Sequence, residues 1–500
     1  MKRLSIPLTA FAEGMCVLAV EVAGARALAP YFGASLLVWT SQITASLLFL
    51  ALGYAAGGRL SAAPRPYALS SLFWLAGAWL LLFPLWRAPA LALSAGAAGV
   101  AGGSLLAACF LYGPPLLCLG AVSPLLAQRQ GGSPGAAAGR VLFASTLGGL
   151  GGGWLAALAL IPNFKLSSVF PGLGLFLALV GAAWAPRFAA PAAFFSLAAF
   201  VLAGLPSGSR AKGHFELLDS RQGRSGLVQV GATRDGSERA LFVDGIIQGG
   251  IEPRSGLTCY QFSEYQAYVG WLYHPEARSA LLLGLGAGAL ARQLDARGVA
   301  VEAAEIEPEV TGMARKHFRL PDSVMARHED ARVFLHRPGP KYDLIFLDAF
   351  YGESMPWHLV TAEGVAGMRS RLAPGGRLVV SLVTKGGGSP GLARVEALLV
   401  AAFGTARVYE EKAGAGEFAM ACLVAGEGLG GAAPAGKYPG KALPRVARLA
   451  RALVSSWRPA RGGGPLPGDD RSDLDLADAG LRLQMRRQMM KLLGPEFLGS

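Results

Sequence analysis

Two parts of this chain carry residue types at spacings that suit chemistry on a nucleoside. In the first, the apolar run Leu281–Leu283 reads as a buried strand and enters the turn Gly284-Leu-Gly286-Ala-Gly288. A helix-like stretch and a second short strand follow, and Glu305 stands 21 residues after Gly284. Glycines let backbone approach a ligand, a helix N-terminus offers unpaired N–H groups, and an acid at that spacing can hold two ribose hydroxyls. These residues predict a nucleoside-binding βαβ unit and leave NAD, FAD and S-adenosyl ligands all open. In the second, Asp348 ends the apolar run DLIFL, at the carboxyl edge of a strand, where ligands bind in open α/β sheets. A carboxylate there can hold a cation and accept a proton.

The elements that must position these residues occupy only part of the chain. Charged residues make up 16% of the 500 and the mean hydropathy is +0.40, too apolar for an ordinary soluble enzyme. The first 206 residues hold ten Lys and Arg against two Asp and Glu, whereas the remaining 294 hold 36 against 31. The expected organisation is a polytopic membrane domain over 1–206, a linker and small β-hairpin layer over 207–250, and a Rossmann-like catalytic domain over 251–425. A Gly/Ala/Pro-rich linker and a helical tail would fill 426–500. The fold class is thus a multi-pass α-helical domain joined to an α/β doubly wound sheet, expected to be parallel because strands alternate with helices from about 277 to 425.

Apolar stretches suited to spanning run near 5–29, 36–58, 67–86, 89–111, 114–128, 140–161, 167–185 and 188–205. Seven or eight helices result, according to whether Gly113-Pro114-Pro115 kinks one helix or separates two. Small residues such as Gly148, Gly149, Gly151 and Gly152 predict close helix contact. Glu13, Glu21 and Arg26 are costly in lipid and should face the bundle interior. The +13 net charge shows no dense basic stripe, so nucleic acid is not an expected partner, whereas the lipid bilayer is. The five cysteines have no paired spacing, His274 and His317 stand alone, and no His/Cys/Asp cluster has metal-ligand spacing, so no metal is expected.

Five segments in order, LFVDGIIQ (241–248), the glycine turn, EIEP (305–308), EDA (329–331) and YDLIFLDAF (342–350), followed by LAPGG (372–376), form an array that resembles the spermidine synthases. These are aminopropyltransferases that use decarboxylated S-adenosylmethionine. The array is most similar to their membrane-fused relatives, which EVAGARALAPYFG (21–33) and the acidic PLPGDDRSDLD (465–475) also resemble. The resemblance implies aminopropyl transfer to an amine or polyamine, with Asp348 as the catalytic aspartate. It implies that Gly284, Gly286 and Gly288 admit the nucleoside, that Glu305 binds its ribose, and that Asp330, with Ala331 beside it, faces the adenine. Gln248 would contact the nucleoside, and Glu264 would match the acid of the family's Tyr-His-Glu segment, whose first two positions are Phe262-Ser263 here. Tyr260 and Gln261 would substitute for them if the loop shifts. A homodimer through the β-layer is the family habit.

Two departures bear on the amine. Ala287 stands where the family has an aspartate for the donor's amino group, and Tyr351 where it has a second aspartate for the diamine. Tyr351, with Glu353 and His358, would then build a different acceptor pocket. The rival readings are an S-adenosylmethionine-dependent methyltransferase, and a transporter or sensor regulated by its nucleoside domain. Adenosyl donors are made in the cytosol, so the expected location is the cell membrane with the catalytic domain cytoplasmic. That needs eight spans, or seven with the N-terminus outside.

Overall fold

Long apolar stretches without a sequence break form helices because every backbone polar group is then satisfied within the segment. Seven such helices are α1 (Ile6–Phe32), α2 (Leu36–Ala62), α3 (Ala68–Leu81), α4 (Phe83–Gly96), α5 (Gly99–Gln130), α6 (Pro134–Leu155) and α7 (Leu166–Trp184). The computed structural model describes the chain except residues 1–4, 34, 63–66, 97–98, 186–212, 225, 351, 353–354, 386–388, 412–417, 430–441, 464–465, 470–477, 494–496 and 498–500. The candidate span at 188–205, Tyr351, Glu353 and most of the acidic segment 465–475 therefore lie outside the described residues. Two units result, residues 1–212 with 495–500, and residues 213–494.

Within the first unit, five described helices are long and apolar enough to cross a membrane, or six if the bent α3–α4 pair is one span. Of the two readings at Gly113-Pro114-Pro115 the single helix holds, because α5 runs unbroken through both prolines. Prolines 114 and 115 supply no N–H, which frees the carbonyls of Phe110 and Leu111 four residues back. The indole N–H of Trp79 on α3 reaches both, at 3.2 and 3.3 Å, so these two carbonyls keep a donor as the helix continues. The eight-span arrangement loses its basis, and 89–96 joins α4 instead of a fourth span. The small residues do what their pattern predicts. A Cβ on Gly148 or Gly152 would fall 2.0 Å from the Phe11 or Met15 carbonyl oxygen of α1. Glu13 is buried with Ser145 donating to its Oε2 at 2.8 Å.

The second unit begins with a four-stranded antiparallel layer, β1 (Phe215–Gln222), β2 (Leu227–Thr233), β3 (Arg239–Val243) and β4 (Ile246–Ile251). The Asp244-Gly245 turn between β3 and β4 has φ of 47° and 76°, the left-handed pair a tight two-residue hairpin requires. Next come α8 (Gln261–Tyr273), β5 (Ser279–Leu283), α9 (Ala289–Asp295), β6 (Ala300–Ala304), α10 (Pro308–Phe318), β7 (Met325–Arg327), α11 (Ala331–His336) and β8 (Tyr342–Leu347). After these follow α12 (Ala362–Ser370), β9 (Leu372–Lys385), α13 (Pro390–Phe403), β10 (Ala406–Glu410), β11 (Phe418–Ala425), α14 (Pro444–Val454), β12 (Trp457–Pro459) and α15 (Ala479–Leu492).

Strands β5 to β12 form one eight-stranded sheet in the order β12-β10-β11-β9-β8-β5-β6-β7, a Rossmann-like core. Apolar side chains of β5 and β8 pack on both faces: Leu282 and Phe346 toward one cluster, Leu281, Leu283 and Ile345 toward the other. The expected all-parallel sheet is corrected to a mixed one, since β11 runs antiparallel to β9 and to β10. The stretch 426–465 is not simply a linker. Val446, Ala450 and Leu453 bury one stripe of α14, and β12 pairs with β10, which the many arginines of that stretch masked in the sequence.

Candidate active site

Strand β5 leads outward to β6 and β7, and β8 then returns on its other side, which makes the β5/β8 boundary the sheet's switch point. Ligands bind open α/β sheets outside the carboxyl ends of the strands at such a point. Gly284 and Asp348 are the first residues past those two ends. The Asp348 N–H donates to the Leu283 carbonyl at 3.0 Å, and a Cβ on Gly284 would lie 2.4 Å from the Asp348 carbonyl oxygen. Gly284 adopts φ +98°, so both its conformation and its crowding require glycine.

On one side of this boundary lies a cleft of about 70 Å³ lined by Gln248, Gly284, Gly286, Glu305, Asp330, Ala331 and Asp348, among others. Glu305 follows β6 and is buried; its Oε2 accepts from the Leu285 N–H at 3.0 Å and its Oε1 from the Glu307 N–H at 2.9 Å. Burial pushes its carboxyl up, against those backbone donors. A third backbone donor, the Gly286 N–H, also acts on this carboxylate, and the acceptor capacity that remains lies at the cleft. Asp330 caps α11, with Oδ1 accepting from the Arg332 N–H at 2.8 Å, while its Oδ2 lies 3.0 Å from Nε2 of His358. His358 thus braces Asp330, and the expectation that it builds an acceptor pocket is corrected: the chain folds back through Trp357–Leu359 to the cleft side.

On the other side is a cavity of about 290 Å³. Gln248, Gly286 and Asp348 line it as well as the cleft. Gln248, within β4, is fixed by donating from Nε2 to the Gly352 carbonyl at 3.0 Å. The rest is mostly apolar, with Phe262 from α8, Phe350 after β8, Phe418 and Met420 on β11, and Met485 and Met489 on α15. Enclosure by protein pushes the Asp348 carboxyl up to about 7, opposed by the Gln266 amide of α8. A carboxylate with that poise exchanges a proton near neutral pH.

Three further sequence expectations meet different placements. Glu264 is not at the site. Tyr260, Gln261 and Phe262 line the cavity, and Glu264, two residues past Phe262 and about 200° around the helix, turns to α9, where Gln293 donates to its Oε2 at 2.8 Å. Burial there pushes its carboxyl up to about 7. Gly288 caps α9 at φ +73° without lining either space. Ala287 is buried in the apolar cluster beneath the β-layer, with Val228, Leu241 and Phe318. Glu411 and the α15 residues were not singled out from sequence. Met485 and Met489 sit one helical turn apart, which signals a buried face but not what that face covers.

No family model matches the chain. A 117-residue stretch is 33% identical to a probable polyamine aminopropyl transferase of Bifidobacterium longum, covering 23% of this chain and 26% of that protein. A 119-residue stretch is 35% identical to a polyamine aminopropyltransferase of Vibrio vulnificus, covering 22% and 40%. A 108-residue stretch is 35% identical to an N-terminal histidine N-methyltransferase of Emericella nidulans, covering 21% and 19%. The matches span about a quarter and two fifths of the two aminopropyltransferases. Among solved structures, a probable spermidine synthase of Corynebacterium glutamicum superimposes with TM-score 0.39 and 19% identity, over 50% of this chain and 98% of that one. Over these stretches the chain is homologous to the polyamine aminopropyltransferases.

Proposed function

We propose that the chain transfers the aminopropyl group of decarboxylated S-adenosylmethionine to an amine. One observation carries this reading: Asp348, Gln248 and Gly286 line both the nucleoside cleft and the second cavity, so a donor in one meets an acceptor in the other at a carboxylate. The acceptor enters as an ammonium ion and gives a proton to Asp348. Its nitrogen lone pair then attacks the methylene carbon bonded to the sulfonium, the C–S bond breaks, and its electron pair returns to sulfur. Methylthioadenosine and an aminopropylated amine result. The carboxylate favours both cations before the proton moves and, once protonated, keeps the proton off the nucleophile during attack. Glu305 would hold the ribose and Asp330, braced by His358, the adenine.

Methyl transfer from S-adenosylmethionine is the second reading, favoured by Ala287 at the position of the family's donor-amine aspartate and by the stretch similar to a methyltransferase. Incubating detergent-solubilised protein with each nucleoside and a pool of amines separates the two. Methylthioadenosine with an amine heavier by one aminopropyl group is the expected product pair. S-adenosylhomocysteine would replace this reading with methyl transfer, and neither product, with nucleoside binding intact, would support a sensor.

The proposed location is the cell membrane, with seven spans, the N-terminus outside and the catalytic unit in the cytoplasm. Six spans from the described helices and the segment at 188–205 make up that number. A reporter fused after Ser500 that is active only outside the cytoplasm would contradict it.

A further inference from the structure

We infer, resting on the aminopropyl-transfer reading, that the acceptor is a primary amine with an extended apolar body and a single charge, not a diamine or polyamine. Beyond Asp348 and Gln248 the walls are mostly apolar, with Phe262, Phe350, Phe418, Met420, Met485 and Met489, and their polar members are Tyr260, Gln261, Gln488 and Glu411. A second void of about 60 Å³ shares Phe350, Val383 and Met485 with this cavity and is lined further by Leu382, Val395 and Leu481. These shared apolar walls mark a path from the cavity toward the second void. Methionines, unbranched and polarizable, adapt such a path to a chain or a ring.

The acids along the path already have partners. Arg482 and Asp478 line the second void together, and Asp478 accepts from Ser389 Oγ at 3.3 Å, while the guanidinium of Arg486 lies against Gly352, which lines the cavity. Among the described residues that line the larger cavity, Glu411 is the one carboxylate besides Asp348. Its oxygens already accept from the Tyr265 O–H at 3.0 Å and the Met420 N–H at 3.2 Å. A distal ammonium would be desolvated on apolar walls with arginines nearby, whereas an alkyl or aryl group would be stabilised by the same burial. The wall that α15 contributes is docked, not loose. Arg486 donates to the Asp244 carbonyl at 3.0 Å and Ser389 Oγ donates to Asp478 at 3.3 Å.

The test compares hexylamine and phenylethylamine with 1,4-diaminobutane and 1,5-diaminopentane on the full-length protein. With decarboxylated S-adenosylmethionine, kcat/KM for the monoamines should exceed that for the diamines by about tenfold or more. In parallel, calorimetric titration of the methylthioadenosine-saturated protein should give tighter binding for the monoamines, a readout that does not depend on turnover. Met489→Glu, which sets a carboxylate in the apolar wall, should raise KM for hexylamine and lower it for 1,4-diaminobutane. Preference for the diamines by rate and binding, lost in Glu411→Gln, would overturn the inference while leaving aminopropyl transfer standing. Product analysis that yields S-adenosylhomocysteine would instead remove the reading beneath it, and equal or weaker monoamine binding would overturn the inference even without turnover.

Discussion

The nucleoside cleft and the acceptor cavity meet at Asp348, yet they are built on opposite principles. The cleft is assembled from backbone turns and carboxylates close in sequence: Gly284 and Gly286 after β5, the buried Glu305 after β6, and the half-buried Asp330 before α11. Its acids are satisfied by neighbouring N–H groups, so their geometry is set before a ligand arrives. The cavity draws its walls from β4, α8, β11 and α15, separated by more than two hundred residues, and most of them are apolar. The lesson is that the donor half is specified by hydrogen bonds and the acceptor half by shape. A family resemblance carried by short motifs therefore reports the first and is nearly silent on the second.

Asp348→Asn should separate the halves most strongly. Nucleoside affinity should stay within a few-fold, while turnover falls on the order of 10²-fold or more, as when a general base is lost. Turnover within a few-fold of the parent would take Asp348 out of the chemistry. The same residue sets the pH dependence. The ionised form accepts the proton, so kcat/KM should be flat above pH 7 and fall as pH drops through about 7. Asp348→Asn should lose that limb.

Stability should move the other way. The folded value, about 7, lies above the ordinary 3.8, so the unfolded chain ionises first and stability falls as pH rises between those values. Asp348→Asn should therefore raise the melting temperature at pH 8 and change it little at pH 3. A lowered melting temperature at pH 8 would mean that the charge is well compensated in the fold.

Glu305→Ala belongs to the cleft and should weaken every adenosyl ligand by about 1–3 kcal/mol, the cost of stranding hydrogen-bonding groups. Carboxylated and decarboxylated nucleosides should suffer equally in calorimetry because they share the ribose. An effect confined to one would place Glu305 near the ligand's tail. His358→Ala is the smallest change. Removing the brace on Asp330 should cost about 0.5–1.5 kcal/mol of nucleoside affinity and leave the ranking of amines untouched. A changed amine preference would return His358 to the acceptor side.

What the sequence made legible follows the same divide. Local patterns carry the glycine turn, the acid after β6 and Asp348 at a strand end, because a few adjacent residues determine each. Glu264 matched a spacing, but helix phase decides where a side chain points, and the start of α8 at Gln261 turned it to Gln293. The unbroken α5 was hidden because its compensation comes from Trp79, a tertiary partner that no window around Pro114 contains. The helical tail was legible, but Met485 and Met489 were not, because only the fold sets their face against Phe350 and Met420.

The central claim is that donor and acceptor occupy two spaces that meet at Asp348. A structure of the full-length protein with methylthioadenosine and hexylamine bound tests it most directly. The account predicts the ribose on Glu305, the adenine beside Asp330, and the amine nitrogen within hydrogen-bond reach of the Asp348 carboxylate on its cavity side. A nucleoside bound with its thioether turned away from Asp348, or an amine seated outside the α15 wall, would contradict it.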